Sequence, residues 1–350
     1  MYDVIVIGAG PTGSSAAKEL AAHGYHVLLV EQCKLPRNKS CSGILIPKSV
    51  QLVSAYFHEE VPVRIMCTPY ESKGMIFIND DGVEHRYEQS GLNIWRHAFD
   101  NWLVEKAVQF GAEIRDETIA LSCDEQDGIV SVRLKGSSEY TEQARVVILG
   151  NGTAGSIRRK LLGQQQESVI TYQTFNTGTI DLDPGYFYAY LQPQFSEYDA
   201  WFNVKDDYLI LGTAVRDSRN IEHYYSQFIA YMKNQYGLKI EGQEKTERWL
   251  MPLVTLGCPI DYGKGRIFFA GETAGFLNPM GEGISASLES GYAVAKAIQQ
   301  IDLQEDSAAP TIHAAYKTNI AELKTYMERQ WRFVASISPK FACHKNKGKY

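Results

Sequence analysis

Three glycines near the start of the chain have the spacing needed to bind a phosphate group. Gly8, Gly10 and Gly13 form the pattern G-x-G-x-x-G, with Pro11 and Thr12 inside it. The pattern follows Val-Ile-Val-Ile at positions 4–7, which is typical of a buried parallel strand. In this setting the first glycine permits a tight turn and the second lets a pyrophosphate approach the backbone. The third lets the following helix pack closely on the strand.

An acidic residue at the end of the next apolar segment supports the same interpretation. Residues 26–30 predict a second strand, and Glu31 follows it, eighteen residues after Gly13, with Gln32 beside it. A carboxylate at this place can hold a ribose hydroxyl of an adenosine group. The alternative is a strand, turn and helix that bind no ligand. We therefore predict a dinucleotide site, and these residues alone do not identify the dinucleotide.

A second glycine pattern, Gly150-Asn-Gly-Thr-Ala-Gly155, follows a predicted strand at 145–149. It has two interpretations: a separate nicotinamide site, or a turn that returns the chain to the first nucleotide-binding unit. No second strand with a terminal acid follows this pattern. The sequence therefore favours the returning turn, which makes Gly152 a further candidate for the first site.

A polar loop at 34–43 leaves the second predicted strand and should face the ligand. Its candidates for binding are Arg37, Cys41, Ser42 and Gly43. The Cys41 thiol can act chemically, for example by donating a proton, or it can pack as a small buried apolar group. Both roles remain open at this stage.

Further along the chain, the pattern of a strand, a glycine turn and a helix start recurs. A strand at 266–270 is followed by Gly271-Glu272, and residues 281–284 open a helix that continues to 299. A helix start at this point can face the same ligand from the other side. Helices are also predicted at 44–56, at 97–110 directly after Arg96, and at 311–336. The last one is amphipathic and should pack on the body of the protein rather than lie on a membrane.

Residues 169–212 are rich in aromatic side chains that alternate with other residues, which indicates an antiparallel sheet. Tyr188, Tyr190 and Trp201 are candidates for the wall of an apolar substrate pocket, together with Tyr172 and Phe202. Ordinary core packing is the alternative for each of them. We predict a discontinuous nucleotide-binding domain at 1–60, 90–165 and 255–305. A substrate lobe at 61–89 and 166–254 and a C-terminal helix with a basic tail at 306–350 complete the chain.

Composition excludes several classes of function. The chain has 350 residues, 44% of them hydrophobic, and a formal net charge of −6, with no basic stripe suited to nucleic acid. The six cysteines lack the spacing of a zinc site, and no metal site is predicted. No apolar run approaches the ~18 residues of a membrane span, so we expect a cytoplasmic protein. The basic tail at 344–349 is either solvated or a weak peripheral contact with the inner face of an anionic membrane.

Taken together, these segments resemble the FAD-dependent oxidoreductases of the p-hydroxybenzoate hydroxylase-like fold. The resemblance is carried by Gly8–Gly13 with Glu31, by Arg96, and by Gly271-Glu272 through Gly283-Ile284, in that order. Within that group, the loop Pro36-Arg-Asn-Lys-Ser-Cys-Ser-Gly43 and the segment Asn278-Pro-Met-Gly-Glu-Gly-Ile284 look most like the geranylgeranyl reductase family.

The resemblance implies an α/β fold: a Rossmann-like FAD-binding domain with an inserted antiparallel-sheet substrate lobe and C-terminal helices. It also implies that FAD reduces a C=C bond of an isoprenoid or other hydrophobic substrate, with NADPH or ferredoxin as the electron donor. Carried over to this sequence, Gly8, Gly10, Gly13 and Glu31 would hold the ADP half, and Arg96 would lie at the pyrophosphate. Gly271 and Glu272 would lie at the ribityl chain, and Cys41, Gly281, Gly283 and Ile284 at the isoalloxazine.

The sequence departs from the family pattern at three places. Asn151-Gly152 replaces the usual Asp-Gly, Gly271-Glu272 replaces Gly-Asp, and Tyr198, Trp201 and Phe202 are followed by Asn203 instead of the family's proline. Two other functions are therefore considered. One is a flavin monooxygenase or halogenase, although the sequence shows no lysine beside a tryptophan-rich motif. The other is a non-catalytic flavin-binding regulator.

Overall fold

The computed structural model describes residues 1–153, 155–164 and 166–342. The basic tail and Cys343 lie outside the described residues. The strands are β1 Tyr2–Ile7, β2 Val27–Val30, β3 Ile44–Leu45, β4 Met66–Ile78, β5 Glu84–Ile94, β6 Glu113–Arg115, β7 Ile119–Gln126, β8 Ile129–Lys135, β9 Glu139–Leu149, β10 Ser168–Thr179, β11 Tyr186–Tyr190, β12 Ala200–Lys205, β13 Tyr208–Val215, β14 Lys239–Pro252, β15 Gly263–Lys264 and β16 Ile267–Phe269. The helices are α1 Pro11–Ala21, α2 Pro47–Phe57, α3 Arg96–Gln109, α4 Ser156–Leu162, α5 Ile221–Tyr236, α6 Ile284–Gln299, α7 Ala308–Asn319 and α8 Ala321–Ile337.

The first sheet is the nucleotide-binding sheet, and β1 lies at its centre. Its order is β15-β16-β9-β1-β2-β6, and the pairs from β16 to β6 are all parallel. β8 extends β9 as an antiparallel ribbon and β7 pairs with β8. The β-branched residues of β1 are buried because helices and strands cover both faces of a parallel sheet.

The second sheet joins strands from 61–89 and 166–254, and it also takes in β3 and the end of β5, which lie in stretches predicted for the nucleotide-binding domain. Its order is β14-β10-β13-β12-β11-β4-β5-β3. The pairs are antiparallel, as expected, except that β11 runs parallel to β4. Helix α5 covers one face through Phe228 and Met232, and the other face turns toward the nucleotide-binding sheet. This α/β architecture, a Rossmann-like domain with an inserted sheet lobe and C-terminal helices, is the predicted fold class.

Two of the predicted helices have different boundaries. Residues 44–56 form the short strand β3 before α2, because Ile46 precedes a proline and takes an extended conformation with φ −67° and ψ 160°. Residues 311–336 form two helices, broken at Ile320, where φ is −103° and ψ is 2°. The apolar residues at helical spacing are buried against the body, as predicted: Ile312, Tyr316, Ile320, Leu323, Met327, Trp331 and Val334. Among the described residues, no helix is both long and apolar enough to span a membrane.

Candidate functional site

A deep cleft lies between the two sheets, at the carboxyl ends of β1, β2 and β9. Its empty volume, mouth included, is about 1810 Å³. Most of the residues predicted from sequence line it: Gly8, Gly10, Pro11, Thr12, Glu31, Gln32, Arg37, Cys41, Ser42, Arg96, Gly152, Trp201, Glu272, Gly281, Gly283 and Ile284. Segments far apart in the sequence therefore meet in one site.

The turn between β1 and α1 forms the floor at one end of the cleft. Gly8 has φ +102°, a conformation that side chains disfavour, and a Cβ there would lie 2.7 Å from the Gly150 carbonyl oxygen. At Gly13 a Cβ would lie 1.8 Å from the Gly8 carbonyl oxygen, so only glycine lets α1 pack on this turn. The first turn of α1 therefore presents its free amides and positive dipole end to the cleft.

Beside this turn, a buried network links four charged side chains. The Arg37 guanidinium lies 3.2 Å from Glu31 Oε2 and 2.8 Å from Asp100 Oδ2, and Arg96 Nε lies 2.9 Å from Asp100 Oδ1. Burial acts to raise the pKa of Asp100, but the two guanidinium groups outweigh it and the net effect lowers that pKa. Glu31 also accepts a hydrogen bond from the Ala9 amide at 3.1 Å, so its carboxylate is fixed at the cleft wall.

The start of α6 closes the opposite end of the cleft. Gly281, Gly283 and Ile284 bring backbone into the wall here. Glu282 lies just before the capping residue Gly283, and its carboxylate accepts a hydrogen bond from the Ser285 amide at 2.9 Å. The amides of the first turn that Glu282 does not bond are therefore available to a ligand, as at α1.

Cys41 faces this same end from the loop after β2. Its Sγ accepts a hydrogen bond from the Gly43 amide at 3.3 Å. The ammonium of Lys205, which is 2% exposed, donates to the Cys41 carbonyl at 3.4 Å and to the Ile94 carbonyl at 3.1 Å. Burial lowers the pKa of Lys205. Lys205 thus fixes the loop that carries the thiol.

Glu272 lies midway along the cleft and links three segments. Its Oε2 accepts a hydrogen bond from the Thr153 hydroxyl at 3.3 Å and lies 3.8 Å from Lys39 Nζ. Lys39 also lies over the Trp249 ring, 4.6 Å from its centroid. Burial lowers the pKa of Lys39, and Glu272 opposes that effect.

Apolar side chains from the second sheet form the wall facing Cys41 and α6. Phe187, Trp201, Trp249 and Met251 project into the cleft, and Met280 adjoins them. Trp249 is 36% exposed and lies at the mouth, whereas Phe187 and Trp201 are nearly buried. This end of the cleft is suited to a hydrophobic ligand.

The prediction that Tyr188 and Tyr190 line the same pocket is wrong. Successive side chains of a strand point to opposite faces. Phe187 and Ala189 of β11 therefore face the nucleotide-binding sheet, while Tyr188 and Tyr190 pack under α5. On β12, Trp201 faces the cleft and Phe202 packs against Tyr188.

Three predicted residues support the cleft from behind rather than line it: Gly13, Gly43 and Gly271. Sequence reasoning missed Lys39, Phe187 and Asp199, which do line the cleft. Asp199 lies two residues before Trp201, which faces the cleft from the same stretch. Strand alternation anchored on Trp201 was therefore the signal that could have identified Asp199.

The arrangement fits a dinucleotide that lies extended along the cleft. Helix starts face both ends, a fixed carboxylate stands near the first glycine turn, and glycine backbone allows close approach at Gly8, Gly10, Gly281 and Gly283. The second glycine pattern belongs to this same cleft through Gly150, Asn151 and Gly152. This placement agrees with the returning turn and not with a separate nucleotide site.

Comparisons with known proteins agree with this geometry. Residues 1–252 match the family described as FAD binding domain. An uncharacterized protein of Methanosarcina barkeri is 28% identical over 316 residues, which cover 85% of this chain and 74% of that protein. A geranylgeranyl bacteriochlorophyll reductase-like protein of Thermoplasma acidophilum superposes with a TM-score of 0.76 at 18% identity, covering 95% of this chain and 85% of that one. The myxobacterial chondrochloren halogenase gives a TM-score of 0.75 at 17% identity, covering 96% and 82%. Such identities establish a shared fold.

Proposed function

This chain belongs to the FAD-binding domain family and is a flavin-dependent oxidoreductase with FAD as cofactor, and from this premise we propose that it reduces a C=C bond of an isoprenoid or other hydrophobic substrate. The observation that carries the proposal is the apolar wall of Phe187, Trp201 and Met251, which faces Cys41 and the start of α6 across one cleft. A hydrophobic alkene fits such a wall, and the chain's similarity to the Thermoplasma reductase-like protein supports the same class.

The protein's own groups bind and orient the two reactants. Gly10 and the first turn of α1 hold the pyrophosphate, Glu31 a ribose hydroxyl, and the start of α6 the ring system. FAD, when bound, supplies the two electrons and the hydride for the reduction. The buried side chains Phe187 and Trp201 exclude water from the alkene, and Cys41 lies beside the reacting end of the cleft.

NADPH or ferredoxin is the proposed source of electrons. Asn151 stands where related hydroxylases carry an acid that helps organise NADPH, which favours a separate protein donor over direct use of NADPH. Cytoplasmic location and a weak peripheral contact of the basic tail at 344–349 with the inner face of an anionic membrane also belong to this proposal. Loss of binding to anionic vesicles when the lysines of 344–349 are replaced by glutamine would support that contact, and unchanged binding would contradict it.

The test is an anaerobic reaction of the dithionite-reduced FAD protein with prenyl alcohols of different chain lengths. We expect the flavin absorbance to return as the alkene is reduced. No reoxidation with any chain length would contradict the function. If neither NADPH, ferredoxin nor dithionite reduces the bound flavin, the protein is better described as a non-catalytic flavin-binding regulator.

One observation favours a second candidate, a flavin-dependent halogenase or monooxygenase. Lys39 lies inside the cleft, next to Trp249, although no sequence motif marks it. Chloride-dependent or bromide-dependent halogenation of a phenol by reduced enzyme and oxygen would support this candidate if Lys39→Met abolished it and left FAD content unchanged. Oxygen consumption without a modified organic product would contradict it.

A further inference from the structure

Asp199 places a carboxyl group in the apolar wall of the cleft. It precedes β12 by one residue and lines the cleft two positions before Trp201. Asp199 is only 4% exposed. Within 1–153, 155–164 and 166–342, no other side chain forms a hydrogen bond or an ion pair with its carboxyl; its partners are its own backbone and, at longer range, the charge of Lys340. Burial of an acid with so little compensation is unfavourable, and a buried titratable group at a ligand site is a candidate for function.

The surroundings of Asp199 keep its neutral form over a wider pH range than that of an exposed carboxyl. Burial raises its pKa to about 6, and the cation of Lys340 opposes this only in part. Lys340 approaches from the C-terminal turn at 339–341, where its ammonium donates to the Leu191 carbonyl at 2.6 Å. Asp80 also acts on Lys340, and the buried Tyr198 hydroxyl, with the Cys258 thiol beyond it, lies beside Asp199.

Cys41 is held differently in the same cleft. Its Sγ accepts a hydrogen bond from the Gly43 amide at 3.3 Å, and the Lys205 ammonium donates to its carbonyl at 3.4 Å. No side chain of the described residues donates a hydrogen bond to the Asp199 carboxyl, which lines the cleft beside Trp201. The two candidate acids of the cleft are therefore distinguished by their contacts.

We propose that Asp199 is the catalytic acid that donates a proton to the substrate, an inference that rests on the proposed reduction of an alkene. One carbon of the double bond gains a hydride, with both electrons coming from reduced FAD, which becomes oxidised. The other carbon uses the π electrons to form a C–H bond with the proton of the Asp199 carboxyl. The O–H bond breaks, and the resulting carboxylate regains its proton from water.

The first arm of the test measures the acid itself, without any substrate. Infrared spectra of the FAD-bound protein are recorded across a pH titration for the wild type, Asp199→Asn and Asp207→Asn. Asp207 is exposed at the turn between β12 and β13, so its variant is the matched control. We expect the C=O band of one protonated carboxyl to disappear near pH 6 in the wild type and the control, and to be absent in Asp199→Asn. If Asp199→Asn removes no band that titrates near pH 6, the proposal is overturned.

The second arm measures single-turnover reoxidation of reduced enzyme by a prenyl alcohol. Asp199→Asn should slow this step about 10²-fold to 10⁴-fold, the usual contribution of a general acid, with FAD content and affinity for the prenyl alcohol retained. Asp199→Glu should restore part of the rate and shift its pH profile. A full rate in Asp199→Asn, with the loss found in Cys41→Ala instead, would assign the proton to Cys41 and overturn the inference.

Failure of the two claims can be told apart. If the wild type is not reoxidised by any prenyl alcohol, the proposed function fails and the role of Asp199 in it falls too, whatever the infrared result. If the wild type turns over and Asp199→Asn matches it, only the assignment of Asp199 fails.

Discussion

Substitution of Gly10 by valine should remove FAD from the protein without unfolding it. Gly10 caps the start of α1 with φ −88° and ψ −172°, an extended conformation open to any residue. A Cβ built there is 3.3 Å from its nearest neighbour, Arg37 Nη2, at the tip of a long side chain. The backbone accepts a side chain at this position if the Arg37 guanidinium shifts by a few tenths of an ångström, but the added methyl groups fill the space where the pyrophosphate meets the helix start.

The size of the effect follows from the contacts that are lost. Hydrogen bonds to a charged group contribute about 1.5–3 kcal/mol each, so losing two amide contacts to phosphate costs about 3–6 kcal/mol. The dissociation constant of FAD should rise about 10²-fold to 10⁴-fold. Flavin absorbance per protein gives the content as purified, and calorimetric titration of apoprotein with FAD gives the affinity.

Two variants serve as controls for this prediction. Gly10→Ala adds one methyl group near Arg37 and should weaken FAD binding less than valine does. Gly136→Val changes a glycine whose Cβ would keep an ordinary contact distance of 3.5 Å from Thr118 Oγ1, and it should retain the cofactor. Circular dichroism should be the same for all three. Stoichiometric FAD in Gly10→Val would refute the assignment of this turn to the pyrophosphate.

Three further predictions concern charge, pH and the two faces of the second sheet. Asp100→Asn leaves the buried guanidinium groups of Arg37 and Arg96 without the acid that they share. Measured by urea denaturation, this variant should lower the free energy of unfolding by about 3–5 kcal/mol. The control Asp207→Asn changes an exposed acid and should alter it by less than about 0.5 kcal/mol. Burial raises the pKa of Asp199 from 3.8 to about 6, so the folded protein holds this proton more tightly than the unfolded chain does. The contribution of this proton to the free energy of unfolding is present below pH 4 and is lost as pH rises through 6. Asp199→Asn should therefore be more stable than wild type by up to about 3 kcal/mol at pH 8 and equal to it near pH 3; an equal difference at both values would contradict the burial of a neutral acid. Trp201→Ala should weaken the binding of a prenyl alcohol and retain FAD. Tyr188→Phe, on the face of the sheet under α5, should leave that binding unchanged. If titrations show an equal loss of affinity for the prenyl alcohol in both variants, the placement of the pocket is contradicted.

The nucleotide-binding half was predictable because its signals are local. The apolar run of β1, the glycine turn and Glu31 are close in sequence, and each has one dominant structural role. Their joint appearance predicted a dinucleotide cleft, and the structure brings them together as expected. The segment from Gly271 to Ile284 required more, since only its similarity to the first turn suggested that it faces the same ligand.

The substrate side was less predictable because composition does not specify which face a residue occupies. Tyr188 and Tyr190 resemble Trp201 in type, but alternation along β11 places them under α5. The parallel pairing of β11 with β4 joins residues more than a hundred positions apart, which no local pattern encodes. Asp199 had no motif, and its burial depends on Lys340 and the C-terminal turn folding back toward it.

The break at Ile320 shows a related limit. The apolar residues from Ile312 to Val334 keep helical spacing through the break, so periodicity predicts one helix where there are two. Thr318 and Asn319, both poor helix formers, are the local signal for the end of α7. Hydrophobic spacing identified the buried face correctly but not the backbone change within it.

The most direct test of the central claim is the mass of the product after reduced enzyme meets a prenyl alcohol without oxygen. The proposed function predicts a product with two more hydrogen atoms than the substrate, formed in step with the return of oxidised flavin absorbance. In deuterated water, both of those hydrogens should be deuterium, because the hydrogen that reduced flavin transfers and the proton of the acid both exchange with solvent. An unchanged prenyl alcohol, or a product that has gained oxygen or halogen once air is admitted, would contradict it.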